Sequence, residues 1–181
     1  LRSFIAAFLP EEIKDALFCY VRSFRGSVQG IKWERREKFH VTIRFLGDVQ
    51  ESRLEDISKD IDSMVHGLGH IETKLGGLCV FPSSKNPRVL ALGLATNERF
   101  QSLFYKVQNA VIKNGFDMEK RKFIPHVTIG RVRGNFGGVT KIPKLDGIEF
   151  SITSIGIVKS ELGPQGSSYT TLRTWDIKDS I

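Results

Sequence analysis

A tetrapeptide that occurs twice constrains this chain more than any other feature. Residues 40–43 read His40-Val41-Thr42-Ile43, and residues 126–129 read His126-Val127-Thr128-Ile129. Both copies lie in β-prone runs, where successive side chains alternate between faces. His and Thr therefore share one face, while Val and Ile share the other. Each copy offers an imidazole and a hydroxyl side by side, with an apolar back that fits a core. The two histidines are 86 positions apart (40 and 126). The same shift carries a strand expected at 3–8 into one expected at 88–95. It also carries Glu11, at the start of one helix, onto Asn97, at the start of another. Three elements agreeing in one register point to a duplicated strand–helix–strand half. Duplication makes the motif strands mates across a pseudo-two-fold axis. Core sequence alone is a poor explanation of the pair, because buried His–Thr faces are costly without partners.

The other elements follow from periodicity and punctuation. Pro10-Glu11-Glu12 opens a helix with residues suited to a first turn. Ile13, Leu17, Tyr20, Val21 and Phe24 form its stripe, and Gly26 stops it. A short strand is expected at 31–33 and the first motif strand at 39–46, ended by Gly47-Asp48. A helix over 52–65 carries Leu54, Ile57, Ile61, Met64 and Val65, with Ser52 as its cap. A strand at 71–80 is bulged at Gly76-Gly77, and 82–87 is a loop. Asn97 caps a helix bearing Phe100, Leu103, Phe104, Val107 and Val111, which stops near Asn114-Gly115. The second motif strand spans 123–132. The glycine-rich 134–138 reads as a hairpin-like connection, since no Lys-Ser/Thr follows to make it a phosphate loop. Strands at 147–159 and 169–177 complete the chain.

Composition narrows the classes. The chain's 181 residues, 40% hydrophobic, suffice for one domain with a real core. No apolar run approaches the roughly 20 residues of a membrane span. The first ten residues alternate like a strand and are too short for a signal peptide. Cys19 and Cys79 are the only cysteines, so buried free thiols and a reducing cytoplasm are expected. The net charge of +7 favours polyanions such as RNA. Lys120-Arg121-Lys122 reads either as a guide for RNA or as a solvated turn. His66 and His70 stand four apart, but Gly67 and Gly69 break the helix there, so they read as exposed loop histidines rather than a metal pair.

Paired His-x-Thr-x motifs in a chain of this size resemble the 2H phosphoesterases, and most closely the RNA 2′,3′-cyclic phosphodiesterase branch, long labelled 2′–5′ RNA ligase. The resemblance covers nearly the whole chain. It includes Arg2-Ser3-Phe4-Ile5-Ala6, the run from Phe39 to Gly47, Phe81-Pro82 with Pro87-Arg88-Val89-Leu90, and Ser160-Glu161-Leu162-Gly163-Pro164-Gln165-Gly166 with Tyr169. Ala91 departs from it, where the family usually has a bulky residue. The resemblance implies an α+β, bilobal fold: two antiparallel sheets facing a central cleft, helices on the outer faces, and one domain over 1–181 made of two pseudo-symmetric lobes. It also implies hydrolysis of RNA 2′,3′-cyclic phosphate ends to 2′-phosphomonoesters, with His40 as proton donor and His126 as proton acceptor. The implied partner is RNA with a cyclic phosphate end, tRNA fragments among them, or a cyclic nucleotide. No membrane and no cofactor are implied, and the chain is expected to be a monomer.

Residue types support that chemistry independently. Opening a cyclic phosphate needs a base for water and an acid for the departing ribose oxygen. Free imidazole has a pKa of about 6.5, so one histidine can be neutral and its mate charged near neutrality. Each positioned group contributes ~10²–10⁴ in rate. Thr42 and Thr128 can donate to the non-bridging oxygens. Residue types leave the assignment of acid and base open. Two histidines without neighbouring carboxylates or thiolates make a poor zinc site, so no metal is expected. Arg131 is a phosphate clamp by resemblance. Strict alternation points it away from Thr128, unless a bulge at Gly130 re-aims it. Arg44 has the parity of His40 and Thr42 but could equally be solvated. Phe45 is read as a base-stacking or a core residue, and Tyr169 as a substrate contact or a sheet-packing one. Two other functions stay open: 2′–5′ ligation of RNA ends, and a non-catalytic RNA- or nucleotide-binding module.

Overall fold

The computed structural model describes residues 1–145 and 147–179. Three helices, α1 (Glu11–Phe24), α2 (Glu51–Val65) and α3 (Glu98–Lys113), pack on an antiparallel sheet. The strands are β1 (Arg2–Phe8), β2 (Ile31–Trp33), β3 (His40–Asp48), β4 (Ile71–Ser83), β5 (Asn86–Leu94), β6 (His126–Val132), β7 (Glu149–Ile152), β8 (Ser154–Gly163) and β9 (Gly166–Asp176). Their order is β7-β4-β5-β6-β3-β1-β8-β9, and β2 pairs with β6 off this path. The α+β class matches expectation. The two expected sheets are the two wings of this one open sheet. β3 and β6 are joined by a single residue pair, Val41 with Val127. The repeated unit is plain in β1-α1-β3 and β5-α3-β6.

Helical stripes explain the core. Ile13, Leu17, Val21 and Phe24 of α1 are buried, as are Leu54, Ile57, Ile61 and Val65 of α2. Phe100, Leu103, Phe104, Val107 and Val111 of α3 join them. They meet Ile5, Val41, Ile43, Leu90, Leu92, Val127 and Ile129 from the strands in one continuous cluster. A second small cluster, Phe4, Ala6 and Val158, with Phe8 and Tyr169 against it, sits on the opposite face of the sheet. That face is the cleft side. The Asn97 side chain accepts from the Phe100 N–H, a cap worth about 1 kcal/mol. Gly115, at φ +82°, turns the chain out of α3.

Several local expectations are corrected. Helix α2 begins at Glu51, and its cap position is Gln50, which makes no side-chain cap, so Ser52 lies inside the helix. The expected loop at 82–87 is mostly strand, with β4 and β5 meeting across a tight turn at Ser84-Lys85. The 134–138 stretch leads into no hairpin: β7 pairs with β4 across the sheet, not with β6. The strand expected at 147–159 is two strands that part at Thr153, because β7 serves the β4 edge while β8 pairs with β1 and β9. The bulge at Gly76-Gly77 is present as a register shift between Leu75 and Leu78. Cys19 and Cys79 are free, but neither is buried, and Cys19 is exposed. His66 and His70 are exposed, at a helix end and in a loop. Among the described residues no helix is long and apolar enough to cross a membrane.

Candidate active site

The Val41–Val127 seam sets the site. In antiparallel register it places His40 across from Thr128, and Thr42 across from His126. Both imidazoles are tethered alike by Nδ1: His40 lies 2.6 Å from the Lys38 carbonyl and His126 2.7 Å from the Ile124 carbonyl. A carbonyl can only accept, so each Nδ1 carries the proton and each Nε2 is left for the cleft. His40 Nε2 lies 3.0 Å from Thr42 Oγ1. With His40 neutral, that hydroxyl donates to the ring.

The surroundings of the two rings differ. Phe4 stacks on His40 at 4.9 Å between centroids, and Tyr169 meets it edge-on at 5.5 Å. Burial pushes the His40 pKa down to about 4, against the Lys38 carbonyl and the Glu34 charge, which favour the imidazolium. His126 and Arg131 push in the same direction as burial, so both lie within reach of His40. His126 is covered on one side by Phe81, at 4.6 Å. A cavity of about 510 Å³ opens beside His40, lined in part by Phe4, Phe8, Phe39, Tyr169 and Thr171.

Two bulges decide which flanking residues reach the cleft. In β6, Gly130 pairs with Leu90 while Thr128 pairs with the next residue, Ala91, so Ile129 is the extra residue. In β3, Arg44 pairs with Ile5 while Thr42 pairs with Ala6, so Ile43 is the extra one. Each bulge reverses alternation at that point. Arg131, paired with Val89, therefore returns to the face of Thr128. Its Nε donates to Glu34 Oε1 at 3.0 Å. Phe45 takes the matching place in the first copy, paired with Phe4 on the cleft face and 67% exposed, so the core reading of it is set aside.

Arg44 is the correction. The Ile43 bulge turns it to the core side with Ile5, where it donates to the Asp117 carbonyl at 2.5 Å and stands 3.8 Å from Glu119. Strict parity from His40 had placed it in the cleft. Lys120-Arg121-Lys122 is exposed, with Arg121 paired to Glu119. Among the described residues no group of three His, Cys, Asp or Glu is clustered as metal ligands would be.

A family model described as LigT like Phosphoesterase matches residues 8–91. Over 97% of this chain and 100% of its own length, the RNA 2′,3′-cyclic phosphodiesterase of Methanocaldococcus jannaschii is 32% identical. The chain belongs to the LigT-like phosphoesterases, the 2H family. A Thermotoga maritima protein of the same name is 29% identical over 95% of this chain and 93% of that one. Among solved structures, TT0787 of Thermus thermophilus superimposes with a TM-score of 0.86 at 27% identity, covering 99% of both chains. Escherichia coli LigT complexed with 3′-AMP has the same fold, with a TM-score of 0.81 at 21% identity and 97% of both chains covered.

In this LigT-like phosphoesterase the structure adds residues that the sequence did not single out. Phe4 and Phe81 are the aromatic neighbours of the two imidazoles. Lys38 stands over the Tyr169 ring at 5.3 Å. Glu34 lies between Lys38 and Arg131. It sits in the run Glu34-Arg35-Arg36-Glu37-Lys38, where charges of both signs are mixed as on any solvated turn, and no local signal sets it apart. The Ile129 bulge had one signal, the glycine that follows it.

Proposed function

We propose that this phosphoesterase hydrolyses RNA 2′,3′-cyclic phosphate ends to 2′-phosphomonoesters, without a metal, by acid–base catalysis between His40 and His126. One observation supports the reading: two imidazoles flank a single seam, and each is held through Nδ1 to a carbonyl, which leaves Nε2 as the nitrogen for proton transfer. The names of the Methanocaldococcus and Thermotoga relatives favour the cyclic substrate. Thr42 and Thr128 donate to the non-bridging oxygens, and Arg131 neutralises the phosphate. Phe45 and Tyr169 contact the nucleotide. RNA brings its negative charge to a chain of net charge +7, and its binding weakens with salt as counterions are released.

By family resemblance His40 is the donor and His126 the acceptor. His126 takes a proton from water as it attacks phosphorus, the P–O3′ bond breaks, and His40 protonates the departing O3′, leaving phosphate on O2′. The burial of His40 favours the reverse assignment as a second reading. Held at about 4, its pKa leaves the ring neutral at pH 7 in the free enzyme, which is the form a base needs. As a donor, His40 must gain its proton when the phosphate anion arrives and raises its pKa.

The test is incubation of an oligonucleotide ending in a 2′,3′-cyclic phosphate with the enzyme and excess chelator, identifying the product end. Full turnover to a 2′-phosphate is expected. A rate lost to chelator and restored by one divalent metal overturns the metal-free mechanism. Binding without turnover overturns the enzymatic reading in favour of a binding module. Joining to a 5′-hydroxyl strand, faster than hydrolysis, makes ligation the main reaction.

A further inference from the structure

Glu34 is a carboxylate set where a phosphate-binding cleft has least use for one. Its side chain is 14% exposed and lies between two cations, 3.0 Å from Arg131 Nε and 3.8 Å from Lys38 Nζ. A negative group beside an anionic substrate weakens binding by repulsion, so its place needs a compensating role. The backbone supplies the clue. Glu34 follows β2, which pairs Trp33 with Gly130 and Lys32 with Arg131. Its own N–H donates to the carbonyl of Ile129 at 2.9 Å, the bulged residue that turns Arg131 into the cleft.

We propose that Glu34 is a positioning residue that acts through Arg131, on the reading above that Arg131 binds the substrate phosphate. Its main chain fastens the bulge, and its carboxylate takes up the Nε edge of the guanidinium. A guanidinium has five donors in a fixed plane. With Nε engaged by Glu34, the plane is fixed and the terminal Nη donors are directed to the phosphate oxygens. A free arginine, 44% exposed at its side chain, would have to order its rotamers when substrate binds.

Two opposed effects separate the role from simple electrostatics. If Glu34 only contributes negative charge, removing it strengthens binding of an anion. If it orients Arg131, removing it weakens binding even though an unfavourable charge has gone. The test is a double-mutant cycle of Glu34→Ala and Arg131→Ala, with Glu34→Gln as the rescue, using a 2′,3′-cyclic-phosphate-ended oligonucleotide. Arg131→Ala is expected to raise KM about tenfold or more, in line with loss of a charge-assisted hydrogen bond. Glu34→Ala is expected to raise KM by ~5-fold with a smaller change in kcat, and to add less than about twofold once Arg131 is gone. Glu34→Gln, which keeps an acceptor oxygen, restores most of the loss. A KM lowered by Glu34→Ala, or an equal rise with and without Arg131, overturns the inference. If Arg131→Ala itself leaves KM unchanged, the clamp reading of Arg131 fails first. Circular dichroism melts of each variant in parallel separate misfolding from mispositioning, and should Glu34→Ala fail to fold, Glu34→Asp, whose shorter side chain keeps the charge, takes its place with the same expected rise in KM.

Discussion

The two copies of His-Val-Thr-Ile have the same sequence, the same Nδ1 tether and a bulge at the same isoleucine, yet they are not equivalent. The first ring is roofed by Phe4 and Tyr169 and bonded to its own threonine. The second has Phe81 on one side and a more open approach. A duplicated motif therefore fixes position, while the unduplicated surroundings fix proton affinity. In the proposed reaction one imidazole gives a proton and the other takes one, and two such coupled groups titrate as a pair.

The halves also solve one packing problem differently. At Gly130, β2 lies so close that an added Cβ would stand 2.5 Å from Ile31 Cγ2 and 3.2 Å from Trp33 Cε3. The place 86 residues earlier is Arg44, and it meets Asp117 and Glu119, which lie 86 residues beyond Ile31 and Trp33. One half closes the contact by apolar packing on a glycine, and the other by a guanidinium whose Nε and Nη1 are buried without a hydrogen bond.

The largest expected effect tests the proposed pair itself. His40→Ala and His126→Ala should each lower turnover by ~10²-fold or more while the fold is kept. Activity within a few fold of wild type, in variants that melt normally, removes both histidines from the chemistry.

The pH dependence sharpens the asymmetry. His40 has a folded pKa near 4 against about 6.5 unfolded. Between those values the unfolded chain binds more protons, so stability falls as pH drops from about 6.5 to about 4, by ~3 kcal/mol at most. His40→Gln should flatten this limb. Nuclear magnetic resonance titration of the His40 ring gives the folded value directly. A midpoint near 6.5 shows that the aromatic roof does not exclude water. The same titration bears on roles. If His40 is the base, kcat/KM rises with pH through about 4. If it is the acid, that limb falls instead.

Smaller effects test the packing contrast. Gly130→Ala should cost about 1–3 kcal/mol, because β2 must move to admit the methyl group. It should also raise KM, since β2 leads into Glu34. Arg44→Met should cost less than about 1 kcal/mol and leave KM unchanged, as replacing a poorly satisfied buried cation with an apolar chain of similar length is often near neutral. Denaturant melts compare the two, and a larger loss for Arg44→Met than for Gly130→Ala reverses the argument.

Much of this was legible in the chain. Helical stripes such as Ile13, Leu17, Val21 and Phe24 repeat at the helix period and so declare their buried side. The tetrapeptides declared the cleft. What stayed hidden depends on partners distant in sequence. Nothing local to Thr153 says that the chain changes neighbours there, because β7 and β8 read as one apolar run. Arg44 was misplaced because alternation holds only until a bulge, and the bulge at Ile43 is visible only in its pairing with β1. Glu34 was missed because a half-buried carboxylate inside a charged turn looks like a solvated one.

The single residue pair that joins the wings also governs how the two rings meet. Each histidine directly precedes its seam valine, so the distance between the rings follows from where two backbones touch rather than from any long side chain. Neither repeat owns the proposed centre. Each carries half of it, as each subunit would in a symmetric dimer, and the linker between the repeats holds the second half at a concentration that no dilution can lower.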